Sequence, residues 1–252
     1  MTKIVICGAL GRMGTTIGKL VNDSPDLTLV GGIDIVRGQF FGVEVVPATE
    51  IGSLLEKTTP DILIDFTAPD PTVEHVKSAA SHNVGLIIGT TGLVEAQVAE
   101  IKAAIEGKVP AVMSSNYSIG VNIFWQLIRE AAQKLSTYDI EVLEAHHRYK
   151  KDAPSGTAKT ILSIIDKAVG ERKKVYGREG ICPRGEEIGV HAIRGGDIVG
   201  DHTVMFTGNY ETITLSHSAY DRAVFASGAL LAAKWIIGKK PGLYGMNDVL
   251  GL

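Results

Sequence analysis

Five short runs in the first half of the chain are apolar without alternation: residues 3–7, 27–34, 61–67, 84–92 and 109–116. Runs of this length and continuity predict strands buried on both faces. Between them, residues 15–22, 69–81 and 95–105 carry the wider spacing of amphipathic helices. Beyond residue 116 the pattern changes. One long amphipathic helix is predicted over 120–135, and residues 138–144 alternate with period two, the mark of a strand with one wet face. A helix over 155–169 follows, then strands over 190–194, 202–207 and 211–217. The last two are joined by Gly208-Asn209-Tyr210, a hairpin signal. A strongly apolar helix over 223–237 ends at the turn Gly238-Lys239-Lys240-Pro241-Gly242.

Regular alternation of strand and helix predicts a parallel sheet joined by right-handed crossovers. The expected fold is therefore α/β: an N-terminal Rossmann-type parallel sheet plus a C-terminal α+β domain with an open mixed sheet. The final helix is expected to return to the first domain. The boundaries drawn on this basis are 1–117 with 223–252, and 118–222.

Composition narrows the function. The 252 residues can bury a substantial core. A net charge of −3 argues against a general nucleic-acid binder. Cys7 and Cys182 stand far apart without metal-ligand spacing, so neither a disulfide framework nor a metal site is expected. No apolar run approaches a membrane span, and the chain starts directly with a strand rather than a leader, so a cytoplasmic protein is expected.

The loop Gly8-Ala9-Leu10-Gly11-Arg12-Met13-Gly14 lies between the first strand and first helix, and the second strand ends at Asp34. This is the arrangement of a dinucleotide-binding unit. Gly8 permits the tight turn, Gly11 lets the backbone approach a pyrophosphate, and Gly14 lets the helix pack against the sheet. The helix N-terminus then faces the phosphates. Asp34 suits a ribose 2′-hydroxyl and Arg37 a 2′-phosphate, so NADH and NADPH both stay open. Ligands in such sheets gather at the carboxyl ends of strands. Here those ends offer Phe66, Thr67, Gly89, Thr90, Thr91, Ser115, Asn116 and Tyr117.

The densest group of proton-handling and cationic residues is Glu144-Ala145-His146-His147-Arg148-Tyr149-Lys150-Lys151-Asp152-Ala153-Pro154-Ser155-Gly156-Thr157. A helix starting at Ser155-Gly156-Thr157 presents free N–H groups and a positive dipole end, a seat for a carboxylate. A histidine beside that seat can act as a general acid or relay. With a nicotinamide on the first domain, this reads as hydride addition to a small anion with protonation at the neighbouring atom. Spacing does not say which histidine acts. Zinc is a poor alternative, because adjacent strand residues point to opposite faces and no third ligand is evident.

That stretch closely resembles the signature of the 4-hydroxy-tetrahydrodipicolinate (dihydrodipicolinate) reductase family. The resemblance extends to Gly8–Gly14, Gly89-Thr90-Thr91-Gly92, residues 115–122, Arg194-Gly195-Gly196-Asp197-Ile198-Val199-Gly200 and Met246-Asn247-Asp248-Val249-Leu250. It implies an NADPH- or NADH-dependent reductase of a cyclic dicarboxylate in lysine and diaminopimelate synthesis. His146 and Lys150 are implied as the catalytic pair. His147, Lys150, Gly156 and Thr157, with Ser155 at the same helix start, are implied to hold substrate carboxylates, and Arg222 to reach the same site. The resemblance further implies a homotetramer assembled through the second-domain sheets, and hinges near Asn116-Tyr117 and Asp221-Arg222. Tyr117 stands where phenylalanine is common.

Overall fold

The apolar runs of the first half are strands, and their alternate residues enter two different cores. The structure is a computed structural model describing residues 1–252. Its elements are β1 (Thr2–Cys7), α1 (Arg12–Asn22), β2 (Leu27–Asp34), β3 (Gly38–Phe40), β4 (Val43–Pro47), α2 (Ile51–Thr58), β5 (Ile62–Asp65), α3 (Pro69–Ser81), β6 (Gly85–Ile88), α4 (Glu95–Ile105), β7 (Pro110–Met113) and α5 (Ile119–Lys134). There follow β8 (Asp139–His146), α6 (Gly156–Val169), β9 (Lys174–Tyr176), β10 (Ile188–Arg194), β11 (Gly200–Thr207), β12 (Thr212–Ala219), α7 (Ala223–Trp235), β13 (Gly242–Tyr244) and α8 (Met246–Leu250). The chain divides into two units, Met1–Ile119 with Arg222–Leu252, and Gly120–Asp221.

The first unit carries an eight-stranded sheet in the order β13-β7-β6-β5-β1-β2-β4-β3. Every pairing is parallel except β3 with β4. Ile4, Ile6, Ile62, Ile64 and Ile87 pack with residues of α1, α7 and α8 in one buried cluster. Their neighbours Val5, Cys7, Leu63, Leu86 and Ile88 enter a second cluster with α3 and α4. Both faces are thus covered, which is why these strands show no polar alternation. The returning helix α7 packs closely: a Cβ on Gly228 would stand 1.7 Å from the Tyr117 carbonyl oxygen.

The second unit has five strands in the order β12-β11-β8-β10-β9. β10 runs parallel to β8 and β9, while β11 runs antiparallel to β8 and β12. Ile140 and Val142 of β8, Val204 and Phe206 of β11, and Ile161 and Ile165 of α6 form its core with Phe124 and Ile128 of α5. β8 alternates buried and half-buried positions through to His146, as expected for a sheet covered on one face. The strand is longer than the alternating run predicts, and His146 is its last residue rather than the start of a loop. The short pieces β3, β4, α2, β9, β13 and α8 have no counterpart in the sequence expectations.

Candidate active site

In the first unit β1 ends at Cys7, and Gly8 turns the chain at φ +73°, a conformation that favours glycine. Helix α1 begins at Arg12 without any side-chain cap, so its first N–H groups are left for a ligand. A Cβ on Gly14 would meet the Gly8 carbonyl oxygen at 2.0 Å, so only glycine lets α1 lie this close to the loop. A cavity of about 450 Å³ opens there, lined among others by Gly8, Gly11, Arg12, Met13, Asp34 and Phe66. Asp34 is held by backbone: Oδ2 accepts from Leu10 N at 2.8 Å and Oδ1 from Ile35 N at 2.8 Å. Each oxygen keeps a second lone pair for a hydroxyl. An uncapped helix end, a glycine turn and a fixed carboxylate at one cavity fit a dinucleotide.

Arg37 lies outside this cavity lining. Its guanidinium is tied to Glu44 at 2.8 Å and also to Glu50. Arg12 and His75 are the basic side chains in the lining. Tyr117 is buried, with its hydroxyl on the carbonyls of Ile88 (3.0 Å) and Val112 (2.8 Å), so its ring ties two strand ends together. Phe66 packs on that ring at 5.6 Å between centroids. The missing Cβ of Gly89 makes room for Phe66, since it would stand 2.2 Å from the ring. Thr91 and Ser115 are exposed on the loops after β6 and β7, and the Asn116 side chain accepts from Ser118 N at 2.9 Å.

The sequence expectations give no role to Asp65, yet it is the hub of this half. Its carboxylate is fully buried; Oδ2 meets His75 Nδ1 at 2.7 Å. Oδ1 accepts from Thr67 N, Thr67 Oγ1, Thr72 Oγ1 and Thr90 Oγ1 at 2.6–3.1 Å. Cys7 Sγ lies within 4.8 Å of these Asp65 and His75 atoms. The legible signal was an acid closing an otherwise apolar strand. Burial works against the Asp65 charge, but hydrogen bonds from His75 and Thr67 outweigh it and hold the carboxyl below its usual range. A folded-state value below the unfolded one stabilises the fold above the unfolded value of about 3.9, and that stability is lost as pH falls through the folded value. Urea unfolding between neutral and acid pH should therefore show the parent losing stability below about pH 4. Asp65→Asn should start about 2 kcal/mol or more less stable at neutral pH and lack this part of the acid dependence. Equal midpoints for the two proteins at neutral pH would remove Asp65 from the account.

In the second unit the alternation of β8 puts Glu144 and His146 on one face. The Glu144 side chain is wholly buried and its Oε2 meets His146 Nδ1 at 2.6 Å. Arg194, opposite His146 in the register of β10 with β8, grips both oxygens of Glu144 at 2.7 Å. Ser155 caps α6: its N–H donates to Glu144 Oε1 at 3.1 Å, and its Oγ accepts from Ala158 N at 3.2 Å. Gly156 is exposed, and no atom stands within 4 Å of where its Cβ would be. An anion can therefore approach this helix start closely. Thr157 is half-buried on the same turn. Lys150 pairs with Asp152 at 2.9 Å. His147 is half-buried, and its Nδ1 is buried without a partner.

Burial lowers the pKa of His146; the charge of Glu144 opposes this, while Lys150 and Arg194 add to it. The net effect disfavours the imidazolium, so the protonated ring gives up its proton more readily than a free imidazolium does. A second imidazole, His202 of β11, lies 5.1 Å away between ring centroids, with Nε2 3.1 Å from Ser155 Oγ. Burial and then His146 push His202 down to about 4, so it is neutral in the working range. Glu144, Arg194 and His202 were given no role by the sequence reading. The signal available for Glu144 was its two-residue offset from His146 on the buried face. Arg222, expected at this site, lies in the first unit, immediately before α7.

A parallel, doubly covered sheet with a glycine turn and a fixed acid at the second strand end defines the dinucleotide-binding dehydrogenase and reductase class. Residues 2–117 match the family described as "Dihydrodipicolinate reductase, N-terminus", and residues 120–250 match "Dihydrodipicolinate reductase, C-terminus". A relative from Methanoregula boonei, named 4-hydroxy-tetrahydrodipicolinate reductase, is 67% identical over 252 residues, covering 100% of this chain and 99% of its own. One of the same name from Methanocaldococcus jannaschii is 46% identical over 269 residues, covering 100% of this chain and 98% of its own. The solved structure titled "Dipicolinate bound Dihydrodipicolinate reductase from Paenisporosarcina sp. TG-14" shares the fold, with a TM-score of 0.81, 24% identity and 97% coverage of each chain. The chain belongs to the dihydrodipicolinate reductase family.

Proposed function

We propose that this chain reduces 4-hydroxy-tetrahydrodipicolinate to tetrahydrodipicolinate with NADPH or NADH, in lysine and diaminopimelate biosynthesis. The observation that carries the reading is the Glu144–His146 pair, at 2.6 Å, whose carboxylate also fixes the α6 helix start that can seat an anion. The full-length relatives named for this reaction support the choice of substrate. When bound in the first unit, a reduced nicotinamide supplies the hydride. Exchanging a hydroxyl for hydrogen by hydride releases hydroxide, so one proton must be supplied for water to leave. His146 supplies it from Nε2, since Nδ1 is engaged by Glu144.

Carboxylate binding falls to the N–H groups at Ser155, Gly156 and Thr157, to Lys150 after it leaves Asp152, and to His147, with Arg222 as a further cation. Lys150 also supports His146 in proton supply. Gly8 to Gly14, Asp34 and the strand ends from Phe66 to Tyr117 hold the cofactor. The Glu44 and Glu50 partners of Arg37 compete with any 2′-phosphate, which favours NADH at that position. The second unit is the substrate-binding and assembly domain. The exposed apolar residues Tyr176, Ile193 and Ile213 support assembly through its sheet into a homotetramer. No helix is long and apolar enough to cross a membrane, and we place the enzyme in the cytoplasm.

Consumption of reduced nicotinamide tests this directly. The cyclic hydroxy-dicarboxylate should be turned over with a kcat/KM at least about a hundredfold above that for open-chain imino and keto acids. Preference for another acid would replace the substrate and leave the reductase. Absence of turnover by folded, cofactor-bound protein with every acid would overturn the reading.

A further inference from the structure

Glu144 is the most heavily engaged carboxylate of the second unit. It accepts from His146 Nδ1, from both terminal nitrogens of Arg194 and from Ser155 N. Arg194 is itself locked: Nη2 also donates to the Asp152 carbonyl and Nη1 to that of Ile193, each at 2.7 Å. One buried carboxylate thereby joins the imidazole to the helix start that can seat an anion. The arrangement solves a particular problem. A lone buried carboxylate beside an imidazole favours the imidazolium and makes it a reluctant acid. A bidentate guanidinium on the same carboxylate takes up that charge and leaves the Nδ1 hydrogen bond intact.

We propose that Arg194 is a positioning residue for His146. Acting through Glu144, it keeps Nδ1–H as a fixed donor and makes Nε2 the nitrogen that transfers the proton. This rests on the reading of His146 as the proton donor. In the step itself the Nε2–H bond breaks, the proton goes to the substrate, and the neutral ring keeps Nδ1–H on Glu144; solvent then reprotonates Nε2. Nε2 stands beside Gly200 of β11, where an added Cβ would approach it to 3.2 Å.

The charged and titratable groups facing His146 are Glu144 on its own strand, Arg194 on β10, Lys150 on the following loop and His202 on β11. Behind them, Asp152 pairs with Lys150, and His217 of β12 acts on His202. Of these, Arg194 and Glu144 act in opposite senses on the proton of His146. Replacing each one moves the titration in a different direction, which a merely structural role does not produce.

The test is nitrogen-15 NMR of histidine-labelled full-length protein, with the His146 resonance assigned by its loss in His146→Gln. Arg194→Gln unmasks the Glu144 charge and should raise the His146 midpoint by about one pH unit or more. Glu144→Gln should lower the midpoint and let the neutral ring populate both tautomers. The alkaline limb of kcat/KM should move with the midpoint, upward in the first variant and downward in the second. Should Arg194→Gln fail to fold, the pair Glu144→Gln with Arg194→Met leaves no buried charge and should still show the mixed tautomer. An unchanged His146 midpoint in folded Arg194→Gln, or a single Nδ1–H tautomer in the folded Glu144→Gln variants, would overturn the proposal. The NMR readouts need no turnover, so an active His146→Gln enzyme would sink the proton-donor role separately.

Discussion

Gly14→Ala is expected to detach the first helix from the glycine loop and abolish tight cofactor binding. The added Cβ would stand 2.0 Å from the Gly8 carbonyl oxygen, 2.7 Å from that of Ala9 and 2.8 Å from Ala9 Cα. All three are backbone atoms and none can rotate away, so α1 as a whole must shift. That helix buries Gly14, Ile17, Gly18 and Val21 and borders α7, so the displacement reaches the core. Overpacking of this kind should cost about 3 kcal/mol or more in urea unfolding. The same turn orients Leu10 N–H toward Asp34, so the dinucleotide dissociation constant should rise by at least about tenfold. Gly52→Ala on α2 is the matched control. Its Cβ would meet only His82, at 3.7 Å, and stability should stay the same or rise by up to about 1 kcal/mol. Parental stability and parental cofactor affinity in Gly14→Ala would contradict the role given to this glycine.

The parts of the fold that the sequence made legible are those where burial alone decides the pattern. α3 and α4 keep their expected limits, and Leu27–Asp34 forms β2 as its apolar run indicates. The strands β5, β6 and β7 are shorter than their apolar runs, because the residues after Asp65, Ile88 and Met113 leave the ladder to form the loops that follow. A run of apolar letters does not record where pairing stops. The segment from Gly38 to Thr58 was missed for a related reason. β3 and β4 are only three and five residues long at the sheet edge, too brief to show a period.

Candidate site residues were legible where chemistry is concentrated in sequence, as in Gly8–Gly14 and in residues 144–157. They were illegible where the partner comes from a distant strand. Arg194 lies fifty residues beyond Glu144 and reaches it only through the β8–β10 register. Asp65 and His75 meet because one turn of backbone and the start of α3 bring a strand end and a helix face together. Arg37 shows the reverse case. Its position after Asp34 suggests a phosphate contact, but Glu44 on β4 and Glu50 beyond it claim the guanidinium.

His146→Gln gives the most direct measurement of the central claim, that this chain joins a hydride from a nicotinamide to a proton from its second unit. Glutamine keeps a polar side chain of comparable reach near Glu144 but cannot carry the proton. Loss of a positioned general acid reduces turnover by about a hundredfold to ten-thousandfold. Cofactor binding, which we assign to the first unit, should stay within about twofold of the parent, an energy difference well below 1 kcal/mol. Turnover of 4-hydroxy-tetrahydrodipicolinate should therefore fall at least about a hundredfold at saturating cofactor, with unfolding midpoint and cofactor dissociation constant unchanged. A folded His146→Gln protein that consumes reduced nicotinamide at the parental rate would contradict the account.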